Sequence, residues 1–360
     1  MAKEGRIFLR GMSSEHYGLK EFRDEQLAAP RVRTDEVVVD DAKVGHSGDS
    51  EDSRTWWRIG PGDEPFLTQN IQVHFVEIPV GKSNHGHGHQ NEAAFYILRG
   101  RGYEIHDDKR YDWEKDDLVV VHTDSVHRHF NDGDETAKAL VMKAKSTWMY
   151  FGLIQQGRSA EIENPERFGP REEWGRVWTP GVDDRKKVVK PADTVWETTR
   201  DGRVRVLCSK DTPDVRVFSV DVYEQEIAPG SRSAKHWHMA DEVAYVISGS
   251  GYCEQWEVEA EIAERYYARV ANEPSVHEFE TDATVYVPQN HVHRYFNTGS
   301  EPLRILVAQN RLIKYLGYDR VEYLEDAPEY EATGSAAAGS GSRPTARMGL
   351  SRRPSCTSSR

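Results

Sequence analysis

The sequence predicts an all-β chain folded as two small barrels, and three observations carry that expectation. A metal-ligand pattern occurs twice at a fixed offset. Short runs of alternating apolar and polar residues, broken by Gly, Asp and Asn clusters, recur in both halves, as strands joined by hairpin turns require. The length of 360 residues suits about two domains.

The repeat is visible by alignment. The second copy, Gly230 to Gly249, has its histidines at His236 and His238, a glutamate at Glu242, and a later histidine, His293, before Asn297. A shift of 149 residues lays Gly81, His87, His89 and Gly100 on Gly230, His236, His238 and Gly249 without a gap. Further on the shift is 166, laying His122 on Pro288, His127 on His293 and Asn131 on Asn297. The second copy therefore carries 17 additional residues. They fall within Glu254 to Asn272, whose Glu- and Ala-rich composition reads as a helical excursion. A repeat this long is a duplicated domain, not a solenoid.

Along the chain, residues 1–65 read as a polar amino-terminal arm, with a turn-rich packing segment at Arg54 to Thr68. The first barrel is expected over 66–150, where strand-like alternation starts at Ile71. Residues 151–205 read as a linker whose helical charge spacing is broken by prolines. The second barrel is expected over 206–325. Residues 333–360 are too poor in apolar side chains to order themselves and read as a disordered tail.

Residues two apart on an extended chain point the same way, so His236 and His238 share a face, and Glu242 lies at an even offset from both. With His293 they form a three-histidine, one-carboxylate set suited to Fe(II), Mn(II), Ni(II), Zn(II) or Cu(II). His291 shares the parity of His293 and is a candidate to support it, whereas Arg294 is expected to face outward. In the first copy His87, His89 and His127 supply the three imidazoles, but the position of Glu242 holds Ala93. Glu92, one residue off, points to the other face of a strand and is a poor substitute ligand. An alternative register through His85, His87 and Glu92 breaks the gapless alignment. Three neutral imidazoles leave the full charge on Fe(II), so an anionic bidentate ligand and O2 can both be accommodated. His129 and His122 are the candidate catalytic groups, His129 as acid/base on the face of His127 and His122 in a supporting place. His85 and His106 read as surface imidazoles, and Arg58 and Arg101 as solvated arginines or carboxylate clamps.

These residues resemble the cupin superfamily, and the chain resembles a bicupin over roughly 70–148 and 215–310. The resemblance implies two double-stranded β-helix (jelly-roll) barrels with short helical insertions. Within the superfamily, HGHQNEA at His87 to Ala93 and HRHFN at His127 to Asn131 are similar to the gentisate and salicylate 1,2-dioxygenases and their 1-hydroxy-2-naphthoate relatives. That likeness implies ferrous ligands at His87, His89 and His127, and O2-dependent opening of a hydroxylated aromatic ring, a carboxylate being the favoured second substituent. Those enzymes usually lack a metal in the second cupin, whereas bicupin oxalate decarboxylases keep Glu in both. A Mn- or Ni-type decarboxylase, lyase or isomerase working through the second copy, and a non-catalytic metal-binding bicupin, are the alternatives.

A net charge of −13 with no basic stripe argues against nucleic acid and anionic membranes. No run approaches a membrane span and the first residues lack a secretory apolar core. The unpaired spacing of Cys208, Cys253 and Cys356 fits a reducing cytoplasm. The expected partners are a small aromatic substrate, O2 and further copies of the chain.

Overall fold

The computed structural model describes residues 6–7, 27–36, 52–60, 71–150, 156–157, 165–169, 173 and 184–334. The tail expected to be disordered lies outside the described residues from 335 onward. Within them strands dominate, and the α-helices Lys145–Tyr150, Pro165–Phe168 and Pro328–Ala332 are short.

The first barrel pairs two sheets. One runs in the order Val188–Val189, Leu118–Val121, Ala93–Arg99, Ala137–Lys143, Gln72–Ile78, Arg54–Ile59. The other runs Gln156–Gly157, His87–His89, Ser125–Phe130, Arg101–His106, Lys109–Glu114. The second barrel repeats this plan. One of its two seven-stranded sheets centres on Val220–Ile227, Leu303–Asn310, Glu242–Ser248 and Thr284–Val287. The other centres on Ser250–Ile262, His291–Asn297, Lys235–His238 and Val321–Glu325.

Several central strands are apolar on both faces, which is why LVVV and TVYV read as continuous runs. In the strand Ala93–Arg99, Ala93, Phe95 and Ile97 face the interior of the first barrel with Val119, Val121 and Val141. Ala94 and Tyr96 face the other way, joining Leu140 and Met142 with Val222, Tyr245 and Leu306 of the second barrel in one shared core. Each large side chain buried there contributes roughly 1.5–3 kcal/mol.

Two polar knots join the barrels, one buried at Glu224 and one half-buried at Asp282. The Glu224 carboxylate accepts hydrogen bonds from Tyr96 Oη (2.9 Å), Arg205 (2.7 Å) and Arg304 (2.7 Å). The carboxylate of Asp282 accepts from Tyr245 Oη (2.8 Å) and Arg58 (3.0 Å), and Arg58 also donates to the Arg33 carbonyl (2.8 Å). Arg58 is thus neither solvated nor a substrate clamp. It is 1% exposed and ties the edge of the first barrel to the second. Arg101 is exposed, as expected.

The leading segments are exchanged. Val32–Arg33, ahead of the first barrel, pairs with Thr284–Val285 of the second. Val188–Val189, ahead of the second barrel, pairs with Leu118–Val119 of the first.

The 17-residue addition is not helical. Ser250–Ile262 and Tyr266–Val270 form an antiparallel hairpin. Trp256 and Val258 alternate with Glu257 and Glu259, and the two apolar residues are buried while the two glutamates are exposed. That period of two outweighs the helix-favouring Glu and Ala composition.

Candidate metal centres

The glycines and asparagines shared by the two copies of the repeat are structural. Gly81 and Gly230 have φ of 71° and 70°, a conformation that favours glycine, and open the loop that carries the histidines. The Asn131 side chain donates to the carbonyls of Ile78 (2.7 Å) and Glu135 (2.8 Å), and Asn297 does the same to Ile227 (2.8 Å) and Glu301 (2.8 Å). These bonds clamp the end of each histidine-bearing strand.

In the second barrel, strand pairing sets His236 opposite His293 and His238 opposite His291. His236, His238, Glu242 and His293 are all buried, and each offers a ligand atom within 4.8 Å of the others. His238 Nδ1 lies 2.8 Å from the Ala240 carbonyl, and its Nε2 lies 3.3 Å from Glu242 Oε2. His293 Nε2 lies 3.3 Å from Glu242 Oε1. Three further groups donate to the carboxylate: Tyr295 Oη (2.8 Å), Gln309 Nε2 (2.8 Å) and Tyr223 Oη (3.5 Å). Burial opposes ionisation of Glu242, but His293 and His238 hold its carboxyl well below the usual range. Buried, converging lone pairs beside one carboxylate fit a divalent transition metal. Arg294 turns outward to Glu254 and Glu325.

The first barrel repeats the imidazoles. Pairing sets His127 opposite His87, and the ligand nitrogens of His87, His89 and His127 lie within 4.8 Å of one another. His89 Nδ1 donates to the Asn91 carbonyl (2.6 Å) and His87 Nδ1 to the His85 carbonyl (3.0 Å), so both present Nε2. His127 Nε2 approaches His89 Nε2 at 3.2 Å. This donor set, too, fits a metal.

Ala93 stands where Glu242 stands, and Glu92 is turned away. The Glu92 carboxylate accepts from Phe218 N (2.9 Å), Ser219 N (2.7 Å) and Ser219 Oγ (2.8 Å) of the second barrel. His129 joins the cluster, with Nε2 3.2 Å from His127 Nδ1. His122 does not. Its ring bonds the Val215 carbonyl (2.7 Å) and Lys187 Nζ (2.9 Å), because its position precedes the histidine strand and faces the shared core. His85 is exposed. His106 is not a surface imidazole. It is 1% exposed and pairs with His127 across the strands, because it shares parity with inward-facing Glu104.

Glu104 and Lys143 escaped the reading of the sequence. Glu104 is fully buried, 3.9 Å from His129 Nδ1 and 3.4 Å from His106 Nδ1, and burial raises its pKa. Lys143 is 4% exposed, and burial pushes its pKa well below the ordinary lysine value. Extending the 166-residue shift past the motif would have found Lys143 at the position of Gln309.

Burial holds His74, His89 and His127 below their ordinary pKa and brings His129 down to about 3. The unfolded chain takes up these protons near pH 6.5, and the folded metal-free chain refuses them. Their contribution is therefore intact above 6.5 and is progressively lost as pH falls below it. Melting of the metal-stripped protein between pH 7 and 4 is expected to show a steadily falling Tm, and a flat profile would contradict these assignments.

With this geometry in place, the comparisons with known proteins bear on its origin. A Cupin domain model matches residues 74–143 and a Cupin model matches 191–311. The chain is a bicupin. This bicupin is 23% identical over 238 residues to 1-hydroxy-2-naphthoate 1,2-dioxygenase of Nocardioides sp. (strain KP7), covering 60% of the chain and 62% of the relative. The chain thus spans about three-fifths of that enzyme's length. Salicylate 1,2-dioxygenase from Pseudoaminobacter salicylatoxidans, solved as adducts with gentisate, superposes with a TM-score of 0.57 at 11% identity, covering 85% of this bicupin and 89% of that chain. Bacillus subtilis oxalate decarboxylase superposes at 0.55 with 13% identity, covering 82% and 80%. Both superpositions reflect the shared fold. Among the described residues no helix is long and apolar enough to cross a membrane.

Proposed function

We propose that this bicupin is an Fe(II)-dependent dioxygenase that opens a hydroxylated, carboxylated aromatic ring in its first barrel. The observation that carries the reading is the site at His87, His89 and His127, where Ala93 replaces the carboxylate that the second barrel retains. The relationship to 1-hydroxy-2-naphthoate 1,2-dioxygenase supports it. Bound Fe(II) would bind the anionic ring substrate and activate O2 toward it, the ring itself furnishing the electrons that reduce both oxygen atoms. The chain's own part is positional. His87 and His89 are fixed by carbonyl bonds, and His127 by its strand pairing. His129, with Glu104 3.9 Å from its Nδ1, places a neutral imidazole beside His127 where it can donate a hydrogen bond or relay a proton. Phe95 packs on His129 with ring centroids 4.5 Å apart and limits its motion.

The second barrel favours its own reading. The buried set His236, His238, Glu242 and His293 is complete and suits Fe(II), Mn(II), Ni(II) or Zn(II), in keeping with a decarboxylase, lyase or isomerase. A cytoplasmic setting fits the buried free thiols of Cys208 and Cys253.

The deciding test is O2 uptake by anaerobically Fe(II)-reconstituted protein, offered gentisate, salicylates, hydroxynaphthoates and hydroquinones in turn. Uptake stoichiometric with ring loss is the expected result. Full iron loading without uptake on any ring would transfer the assignment to the second barrel and to non-oxidative chemistry.

A further inference from the structure

Between the barrels, the carboxylate and its surroundings change together. Three of the groups that donate to Glu242 in the second barrel are Tyr223, Tyr295 and Gln309. The same shifts that lay Ala93 on Glu242 lay His74 on Tyr223, His129 on Tyr295 and Lys143 on Gln309. Strand pairing supports this equivalence: His74 stands opposite Val141 as Tyr223 stands opposite Val307, and Glu242 stands opposite Gln309. In the first barrel Met142 stands opposite Ala94, and one further step in that register sets Lys143 opposite Ala93. Thus where the second barrel holds an anion among neutral donors, the first has lost the anion and gained two imidazoles and an amine.

Lys143 has the parity of Val141 and Ala139, which belong to the barrel's interior cluster, and it interacts electrostatically with His89 and His74. It is 4% exposed, and among the described residues it has neither an ion-pair nor a hydrogen-bond partner. Glu104, the nearby buried carboxylate, is engaged with His129 and His106 instead. Burial disfavours the charged form of a lysine that has no counterion, and an anionic ligand placed beside it restores that charge as one half of a pair.

We propose that Lys143 is the anchor for the carboxylate of an anionic ligand, which occupies in the first barrel the place that the Glu242 side chain occupies in the second. The assignment rests on the dioxygenase reading for its choice of ligand but not for its chemistry. It makes Lys143 a positioning residue that selects carboxylate-bearing rings over neutral ones.

The test is calorimetric binding of salicylate, and of neutral salicylamide, to the full chain loaded with redox-inert Zn(II). Lys143→Met is expected to weaken salicylate at least about 10-fold and leave salicylamide within error, as loss of a charge-assisted hydrogen bond predicts. Lys143→Gln, which installs the second barrel's residue, is the folding control, with zinc content and Tm measured alongside. Ala93→Glu gives Lys143 an internal partner and is expected to abolish salicylate binding while Tm holds or rises. Equal loss for both ligands, no loss for either, or a wild type that binds no carboxylate would overturn the assignment. Lys143-dependent binding of salicylate by a protein that opens no ring would sink the dioxygenase reading and leave the anchor standing.

Discussion

Replacing His127 with alanine is expected to remove one of two bound metals and to abolish O2-dependent ring opening, while His293→Ala removes the other metal and leaves turnover intact. His127 is the least replaceable of the three imidazoles. It comes from a different strand than His87 and His89, so without it two ligands on one three-residue strand remain. It also bridges to His129, whose Nε2 lies 3.2 Å away. Losing an outer partner of a metal ligand typically costs about 10–100-fold, so losing the ligand itself is expected to exceed that range. Metal content per chain read beside an oxygen electrode checks both halves of the expectation. If His293→Ala were the silencing change and His127→Ala the tolerated one, catalysis would belong to the second barrel.

The second large effect is structural. Glu224→Ala removes the common acceptor of Tyr96, Arg205 and Arg304. Arg205, 7% exposed, is then a buried cation without its carboxylate. Breaking a buried pair from one side costs roughly 3–5 kcal/mol. Urea unfolding is expected to show that loss, and Arg205→Met added to Glu224→Leu is expected to recover much of it, since the unpaired charge goes with its partner. Indifference of the midpoint to Glu224→Ala would mean that the knot does not hold the barrels together.

What was legible in the chain followed from short-range pattern. The histidine spacing survives translation into strands because parity decides which side chains share a face, so His87 with His89 and His236 with His238 could be read directly. The same rule applied to Glu254–Asn272 would have given a hairpin, had composition not been weighed above alternation. His106 was misread because its burial depends on the pairing with His127, which closes only in three dimensions. Arg58 and Lys143 belong to the same class. Each is polar in a strand, and only the packing of the opposing sheet or barrel decides that it lies inside. Two-residue edge strands such as Val32–Arg33 are too short to have a period at all.

Those edge strands make the two barrels structurally dependent on each other. Each barrel is finished by the segment that leads into the other. A gene shortened to either half would leave the survivor with an unpaired sheet edge and an uncovered apolar face, the usual invitation to aggregate. Each barrel is therefore needed as scaffolding for the other, whether or not its own site carries chemistry.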